Sequence, residues 1–399
     1  MIIKEVKAVL TPDSRKETTI KFIIKTNKGV FSTTAPSGKS RGKWESKPWK
    51  KNVLGDLEIL NKVDKKIIES VRSFEELEII EKKYGKKIGA NSLFILEATI
   101  LKALAKDKEK ELWKYLNPQA SKLPKPLGNT IGGGLHSKEH VPVNYELPEF
   151  QEFLYYCDNK KISVEEAVKL NDKAYQKTGE VLKKYDPKFL GTTNDEGAWI
   201  SSLSNEEIIM IMREIGLTYG LRIGVDVAAS TYYKNKKYHY HNGMTIISKE
   251  EQIHYMNRII EKYELGYIED PMTEEDYKGF EKITKESGEK SMITGDDLTV
   301  THLDRLRKAI NEGSINAIII KPNQNGSLLS TKKVLEMAKK NNIKIIISHR
   351  SGESEDDTIA DLGVAWGADY LKCGVKGKVR RAKLKRLITI ERMIKGKKK

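Results

Sequence analysis

Cysteine is nearly absent from this chain: Cys157 and Cys373 are the only two in 399 residues. Two cysteines cannot build a disulfide framework, and their spacing fits no zinc site, so each is expected as a small buried residue. Long apolar runs are missing too. The best of them, such as Ala317-Ile318-Ile319-Ile320, have the length of a strand, far short of the ~20 residues that span a membrane. The opening Met1-Ile2-Ile3-Lys4-Glu5 lacks the basic, apolar and small-residue order of a signal peptide. Apart from the lysine-rich C terminus there is no low-complexity stretch, and no short-period repeat. These absences lead us to expect a soluble, reduced, cytoplasmic protein. A hydrophobic content of 38% suffices for a sizeable core, and the length suggests two domains or one large barrel with an appendage.

What the chain has in excess is positive charge, 72 Lys and Arg against 56 Asp and Glu. The excess is concentrated: residues 376–399 carry twelve cations and one acid, Glu391. No recognition motif and no interleaving of aromatic with basic residues accompanies it, so a nucleic-acid partner is not expected. A solvated basic helix with a frayed Lys-Gly-Lys-Lys-Lys end accounts for the pattern.

The first forty residues read as strands. Residues 20–26 and 30–34 are β-rich, and Asn27-Lys28-Gly29 between them has the length and the glycine of a three-residue hairpin loop. From about Gly55 to Leu116 the periodicity is helical, with Ile59, Val63, Ile67, Ile68 and Val71 recurring at three and four. Pro and Gly then cluster between Leu123 and Gly134 and predict a boundary, giving an α+β capping domain over 1–125 and a catalytic unit over 126–399.

In that second unit six short apolar runs end in polar residues: 221–226, 265–269, 291–296, 315–321, 343–349 and 368–372. Their ends lie 23 to 43 residues apart, the length of a strand, a helix and two loops. An open doubly wound sheet has the same rhythm, but no glycine-rich dinucleotide loop opens it. The α/β class, with a closed β/α barrel, is therefore expected, its active site at the C-terminal ends of the strands. Tyr238, His239, Tyr240 and His241 alternate like an exposed strand or hairpin arm and receive no functional role.

Those strand ends carry Asp226, Glu269, Asp296, Lys321, His349-Arg350 and Lys372. One carboxylate alone would most simply cap a helix. Three converging from consecutive strands would repel one another unless a cation sat among them, and hard oxygen ligands suit Mg²⁺. Lys321, beside a second lysine and a metal, is expected to be pushed toward its neutral form and to act as a general base, the plainer alternative being a structural partner for these carboxylates. Arg350 and its neighbours offer donors for an oxyanion. Together these features describe removal of a proton beside the carboxylate of a phosphorylated or carboxylated acid.

At these residues the chain resembles the enolases, the phosphopyruvate hydratases, along nearly its whole length. Ala35-Pro36-Ser37-Gly38-Lys39-Ser40, Gln151-Glu152-Phe153, Asn194-Asp195-Glu196-Gly197 and Asp226-Val227-Ala228-Ala229-Ser230 carry the resemblance. So do Ile268-Glu269-Asp270-Pro271, Gly295-Asp296-Asp297-Leu298, Lys321-Pro322-Asn323-Gln324, Ser348-His349-Arg350-Ser351-Gly352-Glu353 and Leu371-Lys372-Cys373-Gly374. The resemblance implies that Asp226, Glu269 and Asp296 bind a first Mg²⁺. Ser40, on a lid loop, would join the substrate phosphate in binding a second. It implies that Lys321 takes the C2 proton of 2-phosphoglycerate, and that the two metals stabilise the resulting aci-carboxylate. Glu196, assisted by Glu152, would protonate the departing C3 hydroxyl. Arg350 and Ser351 would hold the phosphate and Lys372 the carboxylate, with Gln151, His136 and His349 lining the pocket. A homodimer or larger homo-oligomer is implied as well.

The chain also departs from that pattern. Lys39 and Arg41 flank Ser40 where the family usually has Ala and Thr, Asn194 and Ala198 replace glycines around Glu196, and the stretch from His136 to Gln151 is longer than usual. Gly38-Lys39-Ser40 is not a P-loop, because the motif's first glycine is Thr33.

Overall fold

The computed structural model describes residues 1–39 and 41–396. It begins with an antiparallel meander of β1 (Ile3–Pro12), β2 (Thr18–Thr26) and β3 (Gly29–Thr34). The register pairs Thr26 with Gly29, so the turn holds Asn27 and Lys28 alone, and the expected three-residue loop is a two-residue one. Gly29 belongs to the strand, at a φ of 142° that a side chain would resist.

Five helices follow: α1 (Val53–Asn61), α2 (Lys65–Ser70), α3 (Leu77–Tyr84), α4 (Ala90–Asp107) and α5 (Leu112–Leu116). The apolar spacing from Ile59 to Val71 spans two of them, because the Asp64 side chain accepts from the Lys66 N–H and starts a new helix. Helix α4 is buried on nearly every face, from Ala90 to Ala105, and packs across β2 and β3.

The remaining elements are β4 (Lys125–Gly132), α6 (Gly134–Ser137), β5 (Glu152–Tyr156), α7 (Val164–Tyr185), β6 (Trp199–Ile200), α8 (Asn205–Tyr219) and β7 (Arg222–Asp226). A small meander of β8 (Tyr233–Lys234), β9 (Lys237–Tyr240) and β10 (Thr245–Ile247) precedes α9 (Lys249–Tyr263). Regular alternation then runs β11 (Tyr267–Glu269), α10 (Tyr277–Ser287), β12 (Met292–Gly295), α11 (Leu303–Asn311), β13 (Ala317–Ile320). It ends with α12 (Pro322–Asn325), α13 (Leu328–Lys340), β14 (Lys344–Ser348), α14 (Thr358–Ala365), β15 (Tyr370–Gly374) and α15 (Lys378–Ile394).

Eight strands close into a barrel in the order β15-β14-β13-β12-β11-β7-β5-β4, with β15 pairing back onto β4. All six apolar runs are barrel strands. The other two come from the start of the unit: the Pro- and Gly-rich segment expected only as a boundary is β4, and β5 runs antiparallel to both its neighbours. The Tyr238–His241 alternation is a hairpin arm, yet Tyr238 and Tyr240 are buried rather than exposed, the Tyr240 hydroxyl donating to Gln252 Oε1 at 2.7 Å.

Strand side chains alternate, and here alternation divides the barrel interior into two layers. Leu154, Tyr156, Tyr267, Met292, Ile319 and Tyr370 form a separate buried cluster on the inward face. Two residues onward along the same strands and their ends stand Glu269, Lys321 and Lys372, with Glu152 two before Leu154 on the antiparallel β5. The bottom of the barrel is thus an apolar plug and the top a set of charges on a rigid floor.

Helix α15 carries the basic excess but is not simply solvated. Arg380 and Lys383 are buried, the latter bonding the Ser354 and Asp356 carbonyls. Lys376 and Arg381 pair with Asp172, Arg386 with Asp361 and Arg392 with Glu165. Cys157 and Cys373 are buried, as expected, and unpaired.

Candidate active site

Register does the first part of the assembly. Glu152 pairs with Asp226 across β5 and β7, and Asp226 with Glu269 across β7 and β11, so three carboxylates stand in one row. Just beyond two of them the backbone is left-handed at non-glycine residues, Ala228 (φ 45°) and Asp270 (φ 42°). Strain of this kind needs a rigid surround and re-aims the chain at strand ends.

The row is held by an ammonium. Lys372 Nζ lies 2.9 Å from Asp226, 2.6 Å from Glu269 and 3.3 Å from Glu152. Asp296 pairs with Lys321 instead, and Gln324 donates to its other oxygen at 3.3 Å. Burial and the adjacent Asp226 push Glu269 up to about 8, against the pull of Lys372. Glu269 Oε1 is buried with no hydrogen-bond partner, although the Tyr267 hydroxyl donates to Oε2. An unmet carboxylate oxygen beside two further carboxylates is a site suited to a hard divalent cation. These donors therefore fit Mg²⁺.

Lys321 departs from expectation. Burial is the largest single influence and lowers its pKa, but the surrounding carboxylates, Asp296 first and Glu269 with it, together hold the group above its ordinary value. The neutral lysine anticipated from its neighbours is not the resting form; Arg350 and Lys372 do press it downward, as expected, but less strongly than Asp296 presses up.

Glu196 faces this wall from a turn that Asn194 builds, its Oδ1 accepting from the Glu196 and Ala198 N–H groups at 3.0 and 3.1 Å. Gly197 follows at a φ of 76°, where a Cβ would meet the Lys376 carbonyl at 2.9 Å. Asn129 donates to Glu196 Oε2 at 2.8 Å, His136 Nδ1 lies 3.4 Å from Oε1 and His349 Nε2 3.5 Å from Oε2. Burial would raise Glu196, yet His349, His136 and Arg380 hold it well below the usual carboxylate range. Glu152 goes the other way, raised well above that range by burial and by Glu196. Burial, with Arg380 close by, lowers His349 to about 4. Arg380 Nη1 donates to His349 Nδ1 at 2.8 Å, which leaves the imidazole proton on Nε2, aimed at Glu196.

One cavity, of about 30 Å³, is lined by Lys321, Glu152, Glu196, Arg350 and Lys372, with Gln151, His136, His349 and Ser351 also on its wall. It is small because lysine–carboxylate pairs fill it. Ser40 lies outside the described residues. Lys39, next to it, donates its N–H to Ser351 Oγ at 2.6 Å, and its ammonium pairs with Glu139 at 2.9 Å and Asp195 at 3.5 Å. His140 Nε2 meets Asp195 at 2.8 Å, so the added charge of this loop and the lengthened stretch after His136 answer one another.

Three acidic groups were not foreseen. Asp270 and Asp297 gather with Asp296 into a close carboxylate cluster, and Asp270 accepts the N–H groups of Asp296 and Asp297 at 3.0 and 2.8 Å. Their signal lay in the strings Glu269-Asp270 and Asp296-Asp297, where each stands directly after an expected ligand. Glu45, which meets Arg350, had no such signal.

Residues 120–399 match the family described as Enolase, C-terminal TIM barrel domain. The chain is 34% identical to the enolase of Methanothermobacter thermautotrophicus, over 98% of its own length and 97% of that protein. It is 35% identical to the enolase of Natronomonas pharaonis, over 98% and 99% of the two chains, and 32% to that of Ehrlichia ruminantium, over 98% and 96%. With a barrel of this closure, a site of this composition and relatives matched end to end, the chain belongs to the enolase family and is a hydro-lyase of the phosphopyruvate hydratase type.

Proposed function

We propose that the chain catalyses the reversible, Mg²⁺-dependent dehydration of 2-phospho-D-glycerate to phosphoenolpyruvate, with two Mg²⁺ per active site. The observation that carries this reading is the sharing of one cavity by Lys321, Glu196, Glu152, Lys372 and Arg350 above a row of carboxylates. Asp226, Glu269 and Asp296 would hold the first ion and Ser40, with the substrate phosphate, the second. Bound Mg²⁺ supplies positive charge against the substrate carboxylate as negative charge builds there.

The chain's own residues do the rest. Lys321 takes the C2 proton; loss of its Asp296 partner would leave it facing Arg350 and Lys372, both of which lower its pKa. Glu196 delivers a proton to the leaving C3 hydroxyl. The opposed environments of Glu152 and Glu196 make Glu152 the resting proton reservoir and Glu196 the group that passes the proton on. Arg350 and Ser351 hold the phosphate, Lys372 orients the carboxylate, and His136, His349 and Gln151 exclude water. Within this reading residues 1–125 cap the barrel of 126–399.

Two rival readings are carried less far by the structure. A divergent paralogue would use Lys39 and Arg41 for a more anionic substrate, and of these two Lys39 is paired with Glu139 and Asp195. A non-catalytic binding protein would use the basic C-terminal segment for nucleic acid or an acidic partner, but in α15 Lys378, Arg381, Lys383, Arg386 and Arg392 pair with the chain's own acids. The test is phosphoenolpyruvate formation from 2-phosphoglycerate by the purified protein, followed by ultraviolet absorbance. Turnover abolished by chelator and restored by Mg²⁺ is expected. A folded, Mg²⁺-bound protein without turnover would refute the proposal.

A further inference from the structure

Arg350 lines the catalytic cavity, yet its guanidinium is held from behind. Glu45 grips it with both oxygens: Nη1 donates to Oε1 and Nη2 to Oε2, each at 3.0 Å. The two side chains are 3% and 4% exposed, so the pair is fully desolvated. Nη1 also donates to Asn323 Oδ1 at 3.3 Å, and Asn323 is fixed in turn by its own donation to Asn91 Oδ1 at 2.8 Å on α4. Glu45 itself does not line the catalytic cavity. It lines a neighbouring cleft of about 620 Å³ with Arg41, Lys47 and Lys50.

Counting donors shows what this arrangement leaves. A guanidinium has five N–H groups, and these three bonds use both of Nη1 and one of Nη2. Among the described residues the Nε–H and the second Nη2–H have no partner, and they form the side-on fork that matches two oxygens of a phosphate. From the placement of Arg350 on the catalytic cavity and of its two holders, Glu45 and Asn323, on the cleft behind it, we infer that Glu45 is a positioning residue for substrate phosphate: it spends the end-on fork of Arg350 and so presents the side-on fork to the pocket. Glu45 sits five residues past Ser40, on the segment that enters the barrel mouth from the N-terminal unit, so this contact also couples that segment to the anion site. The inference rests on the reading of Arg350 as the phosphate holder.

Removing Glu45 lets the guanidinium turn among its rotamers, which weakens anion binding more than chemistry. The test uses Glu45→Gln, which keeps shape and one acceptor, with Glu45→Asp as the conservative variant and unfolding curves to verify folding. Inorganic phosphate serves as a probe of the anion site, scored as a competitive inhibitor. In Glu45→Gln both KM for 2-phosphoglycerate and Ki for phosphate should rise about tenfold, with kcat changed less than about threefold, and Glu45→Asp should recover part of both. An unchanged KM and Ki, or a fall in kcat with KM intact, would overturn the inference. Arg350→Lys separates the two failures. If it leaves phosphate inhibition unchanged, the reading of Arg350 is wrong. If it abolishes inhibition while Glu45→Gln does not, only the positioning role of Glu45 fails.

Discussion

The two walls of the pocket solve the same problem differently. On one, Asp226, Glu269 and Asp296 are each matched by an ammonium, Lys372 or Lys321, within ion-pair distance. On the other, Glu196 is surrounded by imidazoles and an amide, and Glu152, at the end of the row it faces, is pushed the opposite way along the pH scale. The lysine wall balances charge, so its cations can be exchanged for others of the same sign. The glutamate wall separates protonation states, so it can move a proton without moving a net charge. A dehydration that begins with proton removal and ends with proton delivery needs both kinds of wall.

The hardest blow to this contrast is Lys321→Ala. Removal of a general base costs roughly 10³-fold or more, and both turnover and exchange of the C2 proton with solvent should disappear together. Exchange that survives would reassign the base. Glu196→Gln should act later in the reaction. Dehydration should fall by roughly 10²-fold or more, while C2 exchange, measured by deuterium uptake into 2-phosphoglycerate, persists. If exchange and dehydration fall equally in both variants, the two walls do not divide the work as proposed.

The lysine wall was the more legible in sequence. Each of its groups terminates an apolar run, because a strand buried on both faces must end where charge begins. The glutamate wall depends on chain packing that no run announces. Asn129 lies on β4, whose Pro126, Gly128 and Gly132 read as breakers; yet a Cβ at Gly128 would lie 2.8 Å from Val375 and 3.3 Å from Asn171 of α7, so the glycine serves close packing of the strand against its covering helix. Arg380, which fixes the His349 tautomer, comes from a helix that reads as solvated. Glu45 meets Arg350 across 305 residues of sequence. The resting state of Lys321 turns on which charge stands nearest, and strand order alone does not rank Asp296 against Lys372 and Arg350; the fold puts Asp296 first.

Lys372→Met tests charge balance without asking for catalysis. The ammonium is buried among three carboxylates, and removing one partner of a buried ionic group leaves the others uncompensated, at a cost of about 3–5 kcal/mol. Urea unfolding in the presence of chelator should reveal that loss. Adding Mg²⁺ should then stabilise the variant more than the wild type, since the ion no longer competes with the lysine for Asp226 and Glu269. A variant as stable as the wild type in chelator would show that Lys372 is not the counter-charge of the row. Equal Mg²⁺ stabilisation of both would show that lysine and cation do not share a site.

The smallest effect probes the glutamate wall through pH. His349 has an ordinary value of 6.5 and is lowered to about 4 by burial and Arg380, so the folded protein resists the proton that the unfolded chain accepts. The unfolded state therefore binds more protons between these values, and stability rises with pH across that window. The contribution is complete above about 6.5 and is lost progressively as pH falls toward 4. At 1.36 kcal/mol per unit it amounts to about 3 kcal/mol. His349→Asn should flatten the stability–pH curve by about that amount between pH 6.5 and 4, leaving the steeper acid limb that belongs to the carboxylates. An unaltered curve would mean that the imidazole is charged in the folded protein. Glu196 would then be supported by an ion pair, and the two walls would differ in degree rather than in kind.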